Sequence, residues 1–294
     1  MPGMNYLIRQ LMLFTAIGTS LALHLGSTHR LPPKTLRHAT LIEEIQTADE
    51  AEALHVLRVN LGGELGAVRL HAPMSRLTRW PAGDIWPAGR ALATRLSAEP
   101  DLVRGLRVLE LGTGLGIAGI AAADAGARHV FLSGILCGNQ VSGASRHGGN
   151  LTHTGDIDAS AVKLALRSHE ELGRSPGRAS GARIDFARGG WPAAVRAGAA
   201  DTDVVIASDV LYSERQAPAL ARFLADYLAD RPRGKGYVMN PLARDKARIG
   251  FAFMEGVRTF GLHVDAEEYA SRASGAADMQ LIKVENSRSN GVTG

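Results

Sequence analysis

Short apolar runs alternate with longer amphipathic stretches through most of this chain. Leu106 to Leu111 (LRVLEL) predicts a strand, Ile117 to Ala125 a helix that Gly126 ends, and His129 to Leu132 a second strand. Helices are predicted over Ser160–Leu172, Ala217–Leu228 and Ala247–Phe260, separated by strands at Asp203–Ala207 and Gly236–Met239. Two closing strands follow, near 262–264 and 279–284. Ahead of this series, Val56–Val59 and Ala67–Leu70 flank a glycine turn and predict a hairpin. Pro87 then opens a helix to about Leu96, proline being suited to a first helical turn. Strands alternating with helices give an α/β fold with a mainly parallel sheet and right-handed crossovers.

One stretch breaks the alternation. Residues 134–155 (GILCGNQVSGASRHGGNLTHTG) stand where a short strand-to-helix loop belongs, and loops this long are uncommon in compact domains. They read as an insertion, either a surface excursion or retained intron sequence. His147, His153 and His169 lack the tight spacing of a zinc site, so no metal is expected. Residues 1–40 form an N-terminal extension, with an apolar run from Leu11 to Leu25 and no acidic residue before Glu43. That run is shorter than a spanning helix needs, so stable membrane insertion is not expected. A targeting or signal-like segment and an added helix both fit it. The main domain is placed at 41–285 and a loose polar tail at 286–294.

The composition, 45% hydrophobic and 21% charged, is that of an ordinary globular protein. A net charge of +4 is spread among scattered arginines, so nucleic acid is not the expected partner. Cys137 is the only cysteine, which excludes an internal disulfide and points to a cytoplasmic protein, or an organellar one if residues 1–40 act as an address.

The chemistry concentrates at Glu110-Leu111-Gly112-Thr113-Gly114-Leu115-Gly116. A strand entering glycines and then a helix gathers backbone N–H groups and the positive helix end at one spot, a turn that can hold a nucleotide. The nicotinamide fingerprint needs glycine at its sixth place, where Ile117 stands, and no G-K-[S/T] occurs to hold a triphosphate. The E-x-G-x-G-x-G pattern instead suits S-adenosylmethionine, with the Glu110 carboxylate toward its cationic amino-acid end, directly or through water. A ribose-binding acid is expected at the end of the second strand. Joining Ser133 conceptually to the far side of the insertion makes Asp156 that acid, with Asp158 as the alternative or a helix cap.

Three segments then occur in order: Gly83 to Gly89 (GDIWPAG), Val108 to Gly119 (VLELGTGLGIAG) and Ala207 to Tyr212 (ASDVLY). Together they resemble the seven-strand protein-lysine methyltransferases, the methyltransferase-like branch of the class I enzymes, over roughly Leu54 to Val284. The resemblance implies a Rossmann-like, mainly parallel seven-stranded sheet with helices on both faces. It also implies S-adenosylmethionine as cofactor and a protein lysine as substrate. Trp86 would line the cofactor pocket, and Trp191 would lie by the adenine. Ser208 and Asp209 would border the methyl-transfer site, and Tyr212 would wall the target channel. Two departures stand out: the insertion at 134–155, and Asn240 to Arg244, which only loosely match the family's polar stretch. A class I methyltransferase of small molecules or nucleic acid is the competing reading, as is a scaffold of the same fold disabled by the insertion. The Asn-Pro-Pro-Tyr motif of many nucleic-acid amino-methylating enzymes is absent at Ser208 to Tyr212.

Overall fold

Eleven strands and five α-helices are seen in a computed structural model, which describes residues 34–35, 40–49, 54–73, 85–135, 154–173, 179–184, 202–214, 216–270 and 278–287. The strands begin with β1 (Lys34–Thr35), β2 (Thr40–Asp49), β3 (Leu54–Gly62) and β4 (Gly66–Pro73), followed by helix α1 (Pro87–Ala98) and strand β5 (Arg107–Leu111). Next come α2 (Ile117–Asp124), β6 (His129–Ile135), α3 (Thr154–Leu172), β7 (Ala179–Ile184) and β8 (Val204–Ser208). The chain closes with α4 (Ala217–Leu228), β9 (Lys235–Pro241), α5 (Arg244–Thr259), β10 (Leu262–Ala270) and β11 (Met279–Asn286).

The main sheet has the order β1-β10-β11-β9-β8-β5-β6-β7. All its pairings are parallel except those of β11, which runs against both β9 and β10. Apart from the two-residue β1, this is the seven-stranded, mainly parallel sheet expected of a class I methyltransferase fold. From β5 the chain winds one way through β6 and β7, then returns to β8 and β9 on the other side. The carboxyl edge between β5 and β8 is therefore a topological switch point, where open α/β sheets bind ligands.

Alternation along each strand explains the layers. Val108, Val130, Leu132, Val204, Ile206 and Met239 bury one sheet face against α1 and α2, in a core that also takes in Val59 and Leu61 of β3 and Val68 and Leu70 of β4. Leu109, Leu111, Phe131, Val205, Ala207 and Val238 bury the other against Leu220, Leu224 and Tyr227 of α4 and Phe253 and Val257 of α5. Strands covered on both faces read as unbroken apolar runs, as these do. Tyr227 also donates its hydroxyl to the Thr202 carbonyl at 2.7 Å, just ahead of β8. Tyr227→Phe is expected to cost about 1 kcal/mol in denaturant unfolding, the net worth of one buried hydrogen bond.

The structure revises several boundaries. The hairpin gains a third strand, β2, and runs over 54–62 and 66–73. β6 continues to Ile135, past the predicted end at Leu132. α3 starts at Thr154 rather than Ser160, which puts Asp156 and Asp158 inside its first turns instead of at a strand end. Acidic residues near a helix start are favoured by the macrodipole, which accounts for that start. Strand β7 is not among the predicted elements. Its first four residues, Ala179 to Ala182, are small, and Gly181 explains its form: a Cβ there would stand 2.6 Å from Val162 and 2.8 Å from the Leu132 carbonyl. The strand thus admits α3 at close range and carries little apolar signal of its own. Of the insertion read at 134–155, Gly134 and Ile135 belong to β6 and Thr154 and Gly155 to α3, while 136–153 lie outside the described residues, as do Trp191 and most of 1–40.

Candidate active site at the carboxyl edge

Residues 112–116 join β5 to α2, and their shape depends on glycine. Gly112, Gly114 and Gly116 have φ of 69°, 51° and 85°, a region that L side chains rarely adopt. At Gly116 an added Cβ would also stand 2.8 Å from the Ala165 Cβ, so α3 packs against the loop. The Thr113 amide donates to the Ser133 carbonyl at the end of β6, and the Gly116 amide to the Thr113 carbonyl.

Gly116 is the residue at the N-cap of α2 and has no side chain to cap with. Glu110 takes over that role from inside the strand. Period-two alternation puts it on the Val108 face, beneath α2, where it is 2% exposed. Its Oε2 accepts from the Thr113 hydroxyl at 2.6 Å and from the Gly119 amide, in the first turn of α2, at 3.1 Å. Burial pushes this carboxyl up to about 7, against the opposing pull of those two hydrogen bonds. The sequence suggested a carboxylate turned toward a ligand; the structure shows one turned under the loop and holding it to the helix. Gly119 makes this arrangement possible, since a Cβ there would stand 2.5 Å from Glu110 Oε2 and 2.4 Å from Leu132 Cδ2.

The rest of the edge assembles around this loop. Trp86 precedes the first turn of α1 and is 44% exposed. Three residues on, Gly89 faces Ile117 and Ser208, since a Cβ at that position would lie 3.2 Å and 3.5 Å from their side chains. The helix start of α1 therefore meets both the start of α2 and the end of β8. Beyond β8, Asp209 adopts φ 52°, the one non-glycine positive φ among the described residues. Its amide stays tied to β9 through the Met239 carbonyl. A non-glycine residue in this region is uncommon and points to a functional constraint.

A residue that sequence reading missed completes the group. Lys246, in the first turn of α5, donates to Asp209 Oδ1 at 2.8 Å and to the Leu211 carbonyl at 2.9 Å. Its Nζ also stands 4.9 Å from the centre of the Tyr212 ring. The α5 start is itself held by Asn240, a fully buried side chain at the end of β9, which donates to the Lys246 carbonyl at 2.9 Å. No local motif could have paired Lys246 with a loop 37 residues away.

Of the residues expected at the site, the structure thus gathers Trp86, Glu110, Gly112, Thr113, Gly114, Gly116, Ser208, Asp209 and Tyr212 on or next to the β5 and β8 ends. Asp156 lies in α3, with its side chain outside the described residues, as is all of Trp191. Among the described residues no group of three or more His, Cys, Asp or Glu could hold a metal ion, and no helix is long and apolar enough to cross a membrane.

Comparison with known proteins bears on one part of this edge. Residues 76–135 match the family model described as lysine methyltransferase. The electron transfer flavoprotein beta subunit lysine methyltransferase of Xenopus laevis is 48% identical over 61 residues, 19% of this chain and 25% of the relative. The human protein of that name is 42% identical over 65 residues, 20% of this chain and 25% of the relative. The chain therefore matches about a quarter of the length of these curated relatives. Two of the segments carrying the resemblance, Gly83 to Gly89 and Val108 to Gly119, fall inside the family match; Ala207 to Tyr212 lies beyond it. Among solved structures, magnesium protoporphyrin IX methyltransferase from Synechocystis PCC 6803 with bound SAM aligns at 21% identity and a TM-score of 0.45, covering 68% of this chain and 78% of that one.

Proposed function

We propose that this chain is an S-adenosylmethionine-dependent methyltransferase acting on a lysine side chain of a protein. One coincidence carries the reading: the stretch matching the lysine methyltransferase family contains the Glu110–Gly116 loop, whose backbone forms a cradle at the switch point of the sheet. The loop fits a nucleoside with an amino-acid tail better than a polyphosphate, since its Thr113 and Gly116 amides are already taken by the Ser133 and Thr113 carbonyls and no phosphate-binding lysine stands in it.

In this reading Gly112, Thr113, Gly114 and Gly116 hold the cofactor through their backbone, with Glu110 fixing the loop from below. Trp86 and Ser208 border it, Asp156 is assigned to the ribose hydroxyls and Trp191 to the adenine. When bound, the cofactor supplies an electrophilic methyl group on a sulfonium. The protein must bring a neutral amine to it, and a free lysine with pKa near 10.4 has to lose its proton first. Asp209 already accepts from Lys246, so a positioning role suits it better than that of a strong base. Tyr212, 38% exposed, offers a wall against which the acceptor side chain can be oriented.

Calorimetric titration with S-adenosylmethionine comes first, followed by transfer of labelled methyl groups to lysine-containing proteins. The relatives' names make the electron transfer flavoprotein beta subunit the first substrate to try. Micromolar binding with label on lysine is expected; absence of binding by the folded chain would overturn the reading. Asp209→Asn is expected to slow transfer about tenfold, about 1.4 kcal/mol in the barrier, while cofactor affinity stays the same. Full turnover by that variant would remove Asp209 from the acceptor site.

A further inference from the structure

The cluster beyond β8 has the chemistry of a lysine-binding cage. A primary ammonium on a four-carbon stem has three donors and no acceptor, and it is attracted to aromatic faces. Asp209 Oδ1, the Leu211 carbonyl and the Tyr212 ring provide an ionic acceptor, a neutral acceptor and such a face around one point. The three residues fall within four consecutive positions, and the strained φ of 52° at Asp209 belongs to the turn that presents them. The group at that point is the ammonium of Lys246 from the same chain.

We propose that Lys246 is an internal stand-in for the substrate lysine, filling the acceptor subsite until a substrate amine displaces it. The inference rests on the reading of Asp209 and Tyr212 as walls of that subsite. Two observations favour an exchangeable occupant over a fixed strut. The Lys246 side chain is 25% exposed, so its cation has a path back to water, and a substrate ammonium taking its place keeps the buried Asp209 carboxylate paired. The turn also has an independent tie, since the Asp209 amide donates to the Met239 carbonyl of β9 at 3.0 Å and that bond remains when Lys246 leaves. Asp245, next to Lys246 in the same turn, is exposed. A resting site closed by its own lysine would spare the subsite from the abundant free amines of a cell. It would open only to a lysine delivered with the binding energy of a whole protein.

The test is Lys246→Ala, a substitution compatible with a helix start, titrated with n-butylammonium, which has the shape of the side chain removed. The variant is expected to bind this probe at least about fivefold more tightly than the wild type, a difference of about 1 kcal/mol. Adding Tyr212→Ala is expected to cancel the gain. With a lysine peptide, kcat/KM of Lys246→Ala is expected to rise about fivefold through a lower KM. A fall in kcat/KM, or no gain in probe binding by a folded variant, would show a fixed strut and overturn the proposal. Lys246→Gln, which keeps a donor of similar length without charge, gives the same comparison if the alanine variant does not fold. The amine titration needs no methyl donor, so it decides the matter even if the transferase reading fails.

Discussion

Gly119→Ala is expected to destabilise the protein by about 3 kcal/mol and to abolish cofactor binding, the largest effect of any single methyl group at this edge. The added carbon would stand 2.4 Å from Leu132 Cδ2 and 2.5 Å from Glu110 Oε2. Leu132 lies in a strand buried in the sheet and has little room to yield. Glu110 can yield only by dropping the Gly119 and Thr113 hydrogen bonds, which would uncap α2 and release the loop. Both escapes are costly, and both alter the cradle. Denaturant unfolding and S-adenosylmethionine titration of the variant check the two halves separately. A variant of wild-type stability would mean that the strand and helix are less closely packed than described.

The second large effect is on pH dependence. Glu110 has its carboxyl raised to about 7 by burial, from an ordinary value of 4.5. Between those values the folded state binds more protons at this group than the unfolded state, so stability falls as pH rises through the window and levels off above it. The loss amounts to about 3 kcal/mol across the window. Glu110→Gln cannot ionise and is expected to lack this component. The stability difference, wild type minus variant, should therefore become more negative by that amount between pH 4.5 and pH 8. Unfolding midpoints at the two pH values measure it, and parallel curves would refute the buried-acid account. The same variant separates two roles for this residue. As a cap beneath α2, glutamine can still accept a hydrogen bond from the Gly119 amide, and cofactor affinity should change only a few-fold. As a direct partner of the cofactor's ammonium, its loss should cost tenfold or more.

Much of this architecture is legible along the chain because the apolar runs are unbroken. Leu106 to Leu111, the glycines and Ile117 onward marked out strand, loop and helix, and α4 falls at Ala217–Leu228, where its period predicted it. The direction of Glu110 was also legible, since alternation with Leu109 and Leu111 puts it on the Val108 face under α2. What hid it was its chemistry, because a carboxylate beside a ligand loop suggests the ligand. β7 stayed hidden because Ala179, Ser180, Gly181 and Ala182 are selected for closeness to α3, a demand that leaves no hydrophobic pattern. The earlier start of α3 was masked by glycine and threonine at 151–155, residues of low helix propensity. Lys246 could not be found from sequence, since its partners come from another loop and meet it only once β8 and β9 lie side by side.

The way the glycine loop is fastened also bears on how quickly a ligand can enter it. Its three left-handed residues are held by contacts with β5, β6, α2 and α3, all made within the protein. The entropy of shaping the loop is then lost during folding, and a cofactor arriving later has little ordering left to impose. Association should follow a single exponential whose rate rises linearly with ligand concentration, without the plateau that a slow closing step would produce.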